Sequence, residues 1–169
     1  MIADPAPDGV AEQQPLTEDM ESVELLAVLV SGVEFGIPVD AVCSVITVPA
    51  ITRLPFPPPS VAGVASVRGT LVPVLDLGER LLRSASSRTG RLVLVEDFTT
   101  GQQIGLLVDA VLGLVAGHLR SLTPPPEVEA SLPFGWIEGI VSPEPDRLIT
   151  LLNLEPVLAV STPTDKEQQ

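Results

Sequence analysis

The sequence has few of the residues from which catalytic and metal sites are built. Its 169 residues include one cysteine (Cys43), one histidine (His118), one lysine (Lys166) and no tyrosine. A single cysteine excludes a disulfide within the chain, and one histidine leaves a His/Cys metal site short of ligands. The lysine lies in a polar C-terminal stretch, which argues against a Schiff base, and the glycines form no phosphate-binding motif. We therefore expect no enzymatic activity, no cofactor and no bound metal.

Two pairs of residues could still be considered as catalytic groups. Cys43 would need His118 as its base to act as a nucleophile, and a lone cysteine in an apolar run is more commonly a packing residue. Asp76 and Asp109 could suggest a carboxylate pair. Each ends an apolar strand, however, where an aspartate more often caps a helix or a turn.

Charge restricts the possible partners. The net charge is −13, and no basic residue precedes Arg53. This balance disfavours nucleic acid and anionic lipid, which both require basic patches, and favours protein partners that present Arg or Lys. The longest clean apolar run, 25–30, is far shorter than the ~20 residues of a bilayer-spanning helix. The acidic, proline-rich start does not resemble a signal peptide. We expect a cytoplasmic protein without direct membrane insertion.

Composition divides the chain into three parts. Residues 1–22 are rich in Pro, Asp, Glu and Gln and are predicted to be a disordered acidic tail. Residues 23–160 carry the regular patterns of one folded domain, and 161–169 form a polar C-terminal tail. The domain contains many short β-branched segments with regular turn signals, which indicates an all-β barrel or sandwich.

The predicted elements follow from periodicity, turn residues and caps. Short helical segments are expected at 38–44, at 78–82 after an Asp76 cap, and at 154–160. Proline runs at 55–59 and 124–126 predict stiff bends that cannot join a sheet. Strands are predicted at 24–30, 35–37, 45–48, 51–54, 91–97, 102–108, 111–115, 136–141 and 148–153.

The segment from Gly63 to Leu77 is the most informative stretch of the chain. It is apolar and β-branched except for Arg68-Gly69, and so it predicts two strands joined by a tight turn. Arg68 has two readings that the sequence does not separate. It either fixes the turn by donating to backbone carbonyls, or it is a docking residue beside a groove.

The order and spacing of several short motifs resemble the CheW-like chemotaxis coupling proteins over about residues 24–160. The motifs that carry the resemblance are Phe35-Gly36-Ile37, Val42, Thr52-Arg53-Leu54, Pro58, Gly63-Val64, Arg68-Gly69, the segments 72–77, 105–111 and 124–127, Gly139 and the segment 148–154.

The resemblance implies an all-β fold of two packed five-stranded SH3-like barrels with short helices and a hydrophobic groove between them. It implies an adaptor without catalysis. The partners would be the cytoplasmic tip of a methyl-accepting chemoreceptor, which is a helical hairpin, and the regulatory domain of a CheA-type histidine kinase.

The resemblance also assigns residues. Val42, Gly63 and Arg68 match family positions at the receptor-binding groove. Ser44, Thr123, Glu127 and Val128 match or adjoin positions in the kinase and ring-closing interface.

Several of these positions depart from the family pattern. Ser44 replaces an acidic residue, Thr123 an arginine and Val128 a phenylalanine, and arginine and aromatic side chains often dominate interface energies. The changes motivate an alternative, a specialised member that binds receptor but recruits kinase weakly or not at all. A second alternative from a different class is a small-ligand barrel with Trp136 and Phe134 lining a pocket.

Overall fold

The computed structural model describes residues 21–87, 89–120 and 126–159. The tails predicted at 1–22 and 161–169 therefore lie outside the described residues, except for Glu21 and Ser22. Thr123 also lies outside them. These described ranges contain eleven strands, three short helices and two 3-10 turns. None of the helices within the described ranges has the length and apolar content needed to cross a membrane.

The strands are β1 (Ser22–Val30), β2 (Val33–Pro38), β3 (Val42–Thr47), β4 (Ile51–Thr52), β5 (Val61–Val67), β6 (Thr70–Asp76), β7 (Arg91–Asp97), β8 (Gln102–Val108), β9 (Ala110–Arg120), β10 (Ile137–Glu144) and β11 (Arg147–Leu152). The helices are α1 (Leu77–Leu82), α2 (Pro126–Ser131) and α3 (Leu154–Leu158), and the 3-10 turns span Val39–Ala41 and Phe134–Trp136.

The first sheet is a closed barrel of five strands in the order β1-β2-β11-β10-β9. The β1–β2 hairpin turns at Ser31 and Gly32, which both have positive φ. The long strand β9 runs antiparallel to β1, and β11 pairs with β2 in parallel. An ion pair between Arg147 and Glu34, 2.9 Å apart, adds a link between β11 and β2. This barrel therefore contains the first two and the last three strands of the domain.

The second sheet has six strands in the order β3-β7-β8-β6-β5-β4. The prediction of an all-β fold with two sheet units and short helices is confirmed, but this unit has one strand more than the five expected. The extra strand is β4, which has two residues and, of the strands that the structure describes, pairs only with β5. Pro49 separates β3 from β4, and a proline cannot donate to a sheet ladder, so one extended segment is divided into two strands.

The described residues form three apolar clusters, one inside each sheet unit and one between the two sheets. Leu25 and Ala27 of β1 point into the barrel interior, whereas Leu26, Val28 and Val30 point into a central core between the sheets. Strand β7 is divided in the same way: Val93 and Val95 face the central core, and Leu92 and Leu94 face the interior of the second unit. Both strands are buried on two faces, which explains why they read as continuous apolar runs.

Helix α1 begins as the sequence predicts. The Asp76 carboxylate accepts hydrogen bonds from the backbone N–H groups of Glu79 (3.1 Å) and Ser86 (3.0 Å). Asp76 therefore caps the helix and also fixes the loop that follows it. Asp109 has a comparable role, because it accepts from the backbone N–H of Ser31 at 2.8 Å and of Ser87 at 2.7 Å. These bonds join a turn of the barrel to a loop of the second unit, so both aspartates serve the fold.

Candidate partner-binding surfaces

Arg68 lies at the tip of the β5–β6 hairpin. The strands close at the pair Val67 and Thr70, which leaves Arg68 and Gly69 as a two-residue turn. Their φ angles are 52° and 83°, and two positive values are what a type I′ hairpin turn requires. Gly69 adopts this conformation without strain, and it allows the turn to hold Arg68 out in solvent.

The geometry separates the two readings of Arg68. Within the described part of the chain, arginine side chains that donate hydrogen bonds are those of Arg80, Arg91 and Arg147. Arg68 is exposed and donates to no backbone carbonyl among the described residues. The turn is therefore stabilised by its backbone conformation, and the guanidinium remains available to a partner.

The other two residues assigned to the receptor side are less exposed. Val42 begins β3, opposite Val95, and is half-buried against the central core. Gly63 is buried in β5 with φ +147°, and a Cβ at this position would overlap the carbonyl oxygen of Thr52 in β4. Gly63 thus has a structural function, because only glycine allows β4 to approach β5 so closely.

The positions assigned to the kinase and ring interface are scattered. Ser44 is half-buried on the edge strand β3, next to the bulge at Cys43. Val128 in α2 has no exposed surface and packs in the central core, so its side chain provides packing and no surface for a partner. The side chain of Glu127 and the whole of Thr123 lie outside the described structure.

The structure exposes apolar residues that the sequence analysis did not single out. Strand β9 alternates between half-buried and exposed positions, and its exposed face carries Leu112 and Leu114. Leu114 is 70% exposed although it pairs with Leu26, which is buried in the central core. The signal was present in the sequence as leucines at alternate positions after Asp109, but alternation alone does not identify the face that meets solvent.

A groove runs along α3 at the edge of the central core, and we call it the α3 groove. It consists of two adjoining cavities of about 340 and 550 Å³ that share Asp97, Thr99, Glu155 and Leu158. Its walls are largely apolar, and they are formed by Pro38, Ala41, Leu54, Pro58, Val61, Pro73, Leu75, Phe98, Ile104, Leu154, Leu158 and Ala159.

In the described part of the chain, Trp136 faces a cavity lined by charged side chains and not an apolar ligand pocket. The guanidinium of Arg80 lies over its ring, 4.6 Å from the centroid, and Trp136 borders a surface cavity together with Arg80, Arg83 and Glu79. The side chain of Phe134, the other residue of that alternative, is outside the described structure. Among the described residues no group of three or more His, Cys, Asp or Glu side chains could hold a metal ion.

The fold consists of two packed β units that share a core. An arginine is exposed on a hairpin turn, and leucines are exposed beside the core. These features define a protein-interaction module. Comparison with known proteins gives the family. Residues 24–161 match the CheW-like domain, and the chain belongs to the CheW-like family. It is therefore a non-catalytic scaffold protein of chemotaxis signalling.

The relatives cover most of the chain. It is 31% identical to chemotaxis protein CheW of Rhizobium meliloti over 134 residues, which span 79% of this chain and 86% of the relative. It is 32% identical to protein FrzA of Myxococcus xanthus over 122 residues, 72% of this chain and 73% of the relative. The crystal structure of the scaffolding protein TtCheW from Thermoanaerobacter tengcongensis superimposes with a TM-score of 0.69 at 27% identity, covering 83% and 90% of the two chains.

Proposed function

We propose that this protein couples the cytoplasmic tip of a methyl-accepting chemoreceptor to the regulatory domain of a CheA-type histidine kinase, and that it acts in the cytoplasm. Membership of the CheW-like family supports the pathway. The exposed residues described above support the mode of action, in which the protein holds two others together and performs no reaction.

The observation that carries the receptor half of the proposal is the position of Leu114. It is exposed beside Leu26, and Leu112 lies two residues away on the same face of β9. An apolar surface continuous with the core between two β units suits the apolar stripe of a helix, which is the surface that a receptor hairpin presents. Burying one leucine contributes roughly 2 kcal/mol to such a contact.

Arg68 contributes a different kind of contact. A guanidinium on this two-residue turn can form charge-assisted hydrogen bonds with a partner, and the backbone that carries it need not rearrange to do so. We assign it to the same partner, as the family resemblance implies. Gly63 supports it indirectly, because it fixes the pairing of β5 and β4 within the unit that carries the hairpin. Val42 would contribute less to receptor binding, since it is half-buried and packs against the central core.

Fewer exposed residues support the proposed contact with the kinase than support the contact with the receptor. Val128 is buried, so α2 would offer a partner its outward positions, such as Pro126 and Ala130, which are exposed. Ser44 lies on β3, which among the described strands pairs only with β7 and has one edge open to another strand. In the alternative, the protein binds receptor but recruits kinase weakly or not at all. Among the described residues, this alternative is supported by Ser44, which replaces an acidic residue of the family.

Charge substitution on β9 tests the receptor half. Leu114→Glu should weaken binding to a purified receptor-tip fragment by at least ~10-fold, which corresponds to about 1.4 kcal/mol. His118→Glu is the matched control, because His118 is exposed on the same face of β9 but opposite Ser22. It should change the Kd by less than ~2-fold. Equal losses for the two variants, measured by isothermal titration calorimetry, would remove Leu114 from the proposed contact.

A further inference from the structure

Phe56 is the most exposed large apolar side chain among the described residues, at 92%. Its backbone has φ +50°, in the left-handed region that a bulky residue rarely adopts. The chain therefore carries both an unfavourable backbone conformation and an aromatic ring in water. No described residue compensates for either feature, which favours a contact with a partner.

The loop around Phe56 is stiff. Pro55 precedes it and Pro57, Pro58 and Pro59 follow it, and each proline restricts φ to about −65°. The backbone that carries the ring is thus restricted before any partner arrives, so little backbone entropy is lost on binding. Arg53, also exposed, lies three residues before it. Aromatic residues and arginine are the types that most often dominate the binding energy of an interface.

The α3 groove lies beside this loop. Leu54 and Pro58, two residues on either side of Phe56, both line the larger cavity. The charged residues of the groove are Glu96, Asp97 and Glu155, and among the described residues no lysine or arginine lines it. An exposed aromatic ring therefore lies next to an apolar groove with a negative rim, and Arg53 lines an adjoining cavity that shares Leu54 with the groove and also contains Asp76 and Glu79.

We propose that a second copy of this chain binds through this surface, with Phe56 of each protomer in the α3 groove of the other and Arg53 facing its acidic rim. Ring and groove lie side by side, so a twofold axis between two copies would satisfy both contacts at once, as a self-complementary dimer interface requires. The charges are complementary, and a cavity of about 550 Å³ has room for the ring. The association is separate from the contacts assigned to receptor and kinase.

Sedimentation equilibrium of the purified protein over roughly 5–500 μM tests the proposal. The wild type should show a concentration-dependent dimer. Phe56→Asn should weaken association at least ~10-fold while preserving or raising the Tm, because asparagine tolerates the left-handed conformation. Leu71→Ser is the matched control: Leu71 is 70% exposed and does not line the groove, and its loss should leave the dimer unchanged.

A charge exchange sharpens the test. Arg53→Glu alone, and Glu96→Arg combined with Glu155→Arg, should each give a monomer, because like charges then meet in both halves of the interface. An equimolar mixture of the two variants should associate as tightly as the wild type, since both halves become complementary again. A wild type that is monomeric throughout, a dimer unaffected by Phe56→Asn, or a mixture that does not associate would each overturn the proposal.

Discussion

Gly63 shows how a single missing side chain can determine the contact between two strands. Its backbone has positive φ, and an added Cβ would overlap the Thr52 carbonyl oxygen. Gly69 in the hairpin turn also has positive φ, but a Cβ there would meet no atom within 4 Å. The two glycines therefore separate the cost of a strained backbone from the cost of a steric overlap.

Gly63→Ala should lower the free energy of unfolding more than Gly69→Ala does. We expect a cost of about 1 kcal/mol at Gly69, where only the backbone preference is lost. At Gly63 we expect at least ~2 kcal/mol, because β4 must also move away. Urea denaturation of the two variants measures the difference. Equal costs would mean that the close approach of β4 to β5 contributes nothing.

Thr150 is a second residue whose environment leads to a prediction. It is fully buried in β11, and its hydroxyl is the one buried side-chain polar atom among the described residues without a hydrogen-bond partner. Thr150→Val removes that unpaired group at nearly constant volume and should stabilise the fold by about 1 kcal/mol. Thr47→Val, at an exposed position of β3, provides the comparison. A lower Tm for Thr150→Val would show that the hydroxyl has a partner in solution.

At the scale of the elements, α3 depends on a side chain from a distant part of the chain. Arg80 of α1 donates to the carbonyl oxygens of Val157 (2.9 Å), Pro156 (3.1 Å) and Ala159 (2.9 Å). Partial burial lowers the pKa of the Arg80 guanidinium, because desolvation penalises its charge. The carbonyls at the end of a helix and the face of Trp136 offset that penalty. A helix of five residues is thereby held against the central core.

Arg80→Met should release α3 and lower the free energy of unfolding by about 2 kcal/mol. Amide hydrogen exchange should accelerate in α3, and the fluorescence of Trp136, the only tryptophan, should change. Arg120→Met on β9 is the control, because Arg120 is exposed and no hydrogen bond among the described residues joins its side chain to α3. Unchanged exchange in α3 after Arg80→Met would show that apolar packing of Val157 and Leu158 suffices.

The elements also show where sequence reasoning succeeds. Strands β7 and β8 have the predicted bounds, because an unbroken apolar run on each side of a Thr-Thr-Gly turn permits few other structures. Strand β9, at Ala110–Arg120, is longer than the predicted 111–115, since Gly117 and the polar His118 interrupt the apolar pattern after Val115. Helix α2 was not predicted at all, because its first residue, Pro126, ends a proline run. Proline suits the first position of a helix as well as a bend.

The candidate site was only partly predictable for a related reason. The sequence placed Arg68 in a turn, and the structure adds that its side chain is free among the described residues. The sequence could not show that Val128 is buried. Nor could it show that Leu114 is exposed while Leu26, with which it pairs, is buried. Those facts depend on how the two sheets pack, which a periodicity of two does not specify.

At the scale of the whole molecule, the central core joins the two sheets into one unit. Side chains from β1 and β2 of the barrel and from β6, β7 and β8 of the second sheet meet there. Asp109 reinforces the contact through its bonds to Ser31 and Ser87. A protein that holds two partners in a defined arrangement needs this rigidity, because movement between its halves would weaken the coupling of one partner to the other.

The central claim is that this protein couples receptor to kinase. The most direct test is to measure how much CheA-type kinase co-sediments with receptor-containing membranes, with and without this protein. We predict that the kinase sediments only when the protein is present, and that Leu114→Glu abolishes the effect whereas His118→Glu preserves it. If the protein sediments with the receptor but brings down no additional kinase, the coupling function is contradicted and the receptor-only alternative holds. If the protein itself stays in the supernatant, both proposals fail.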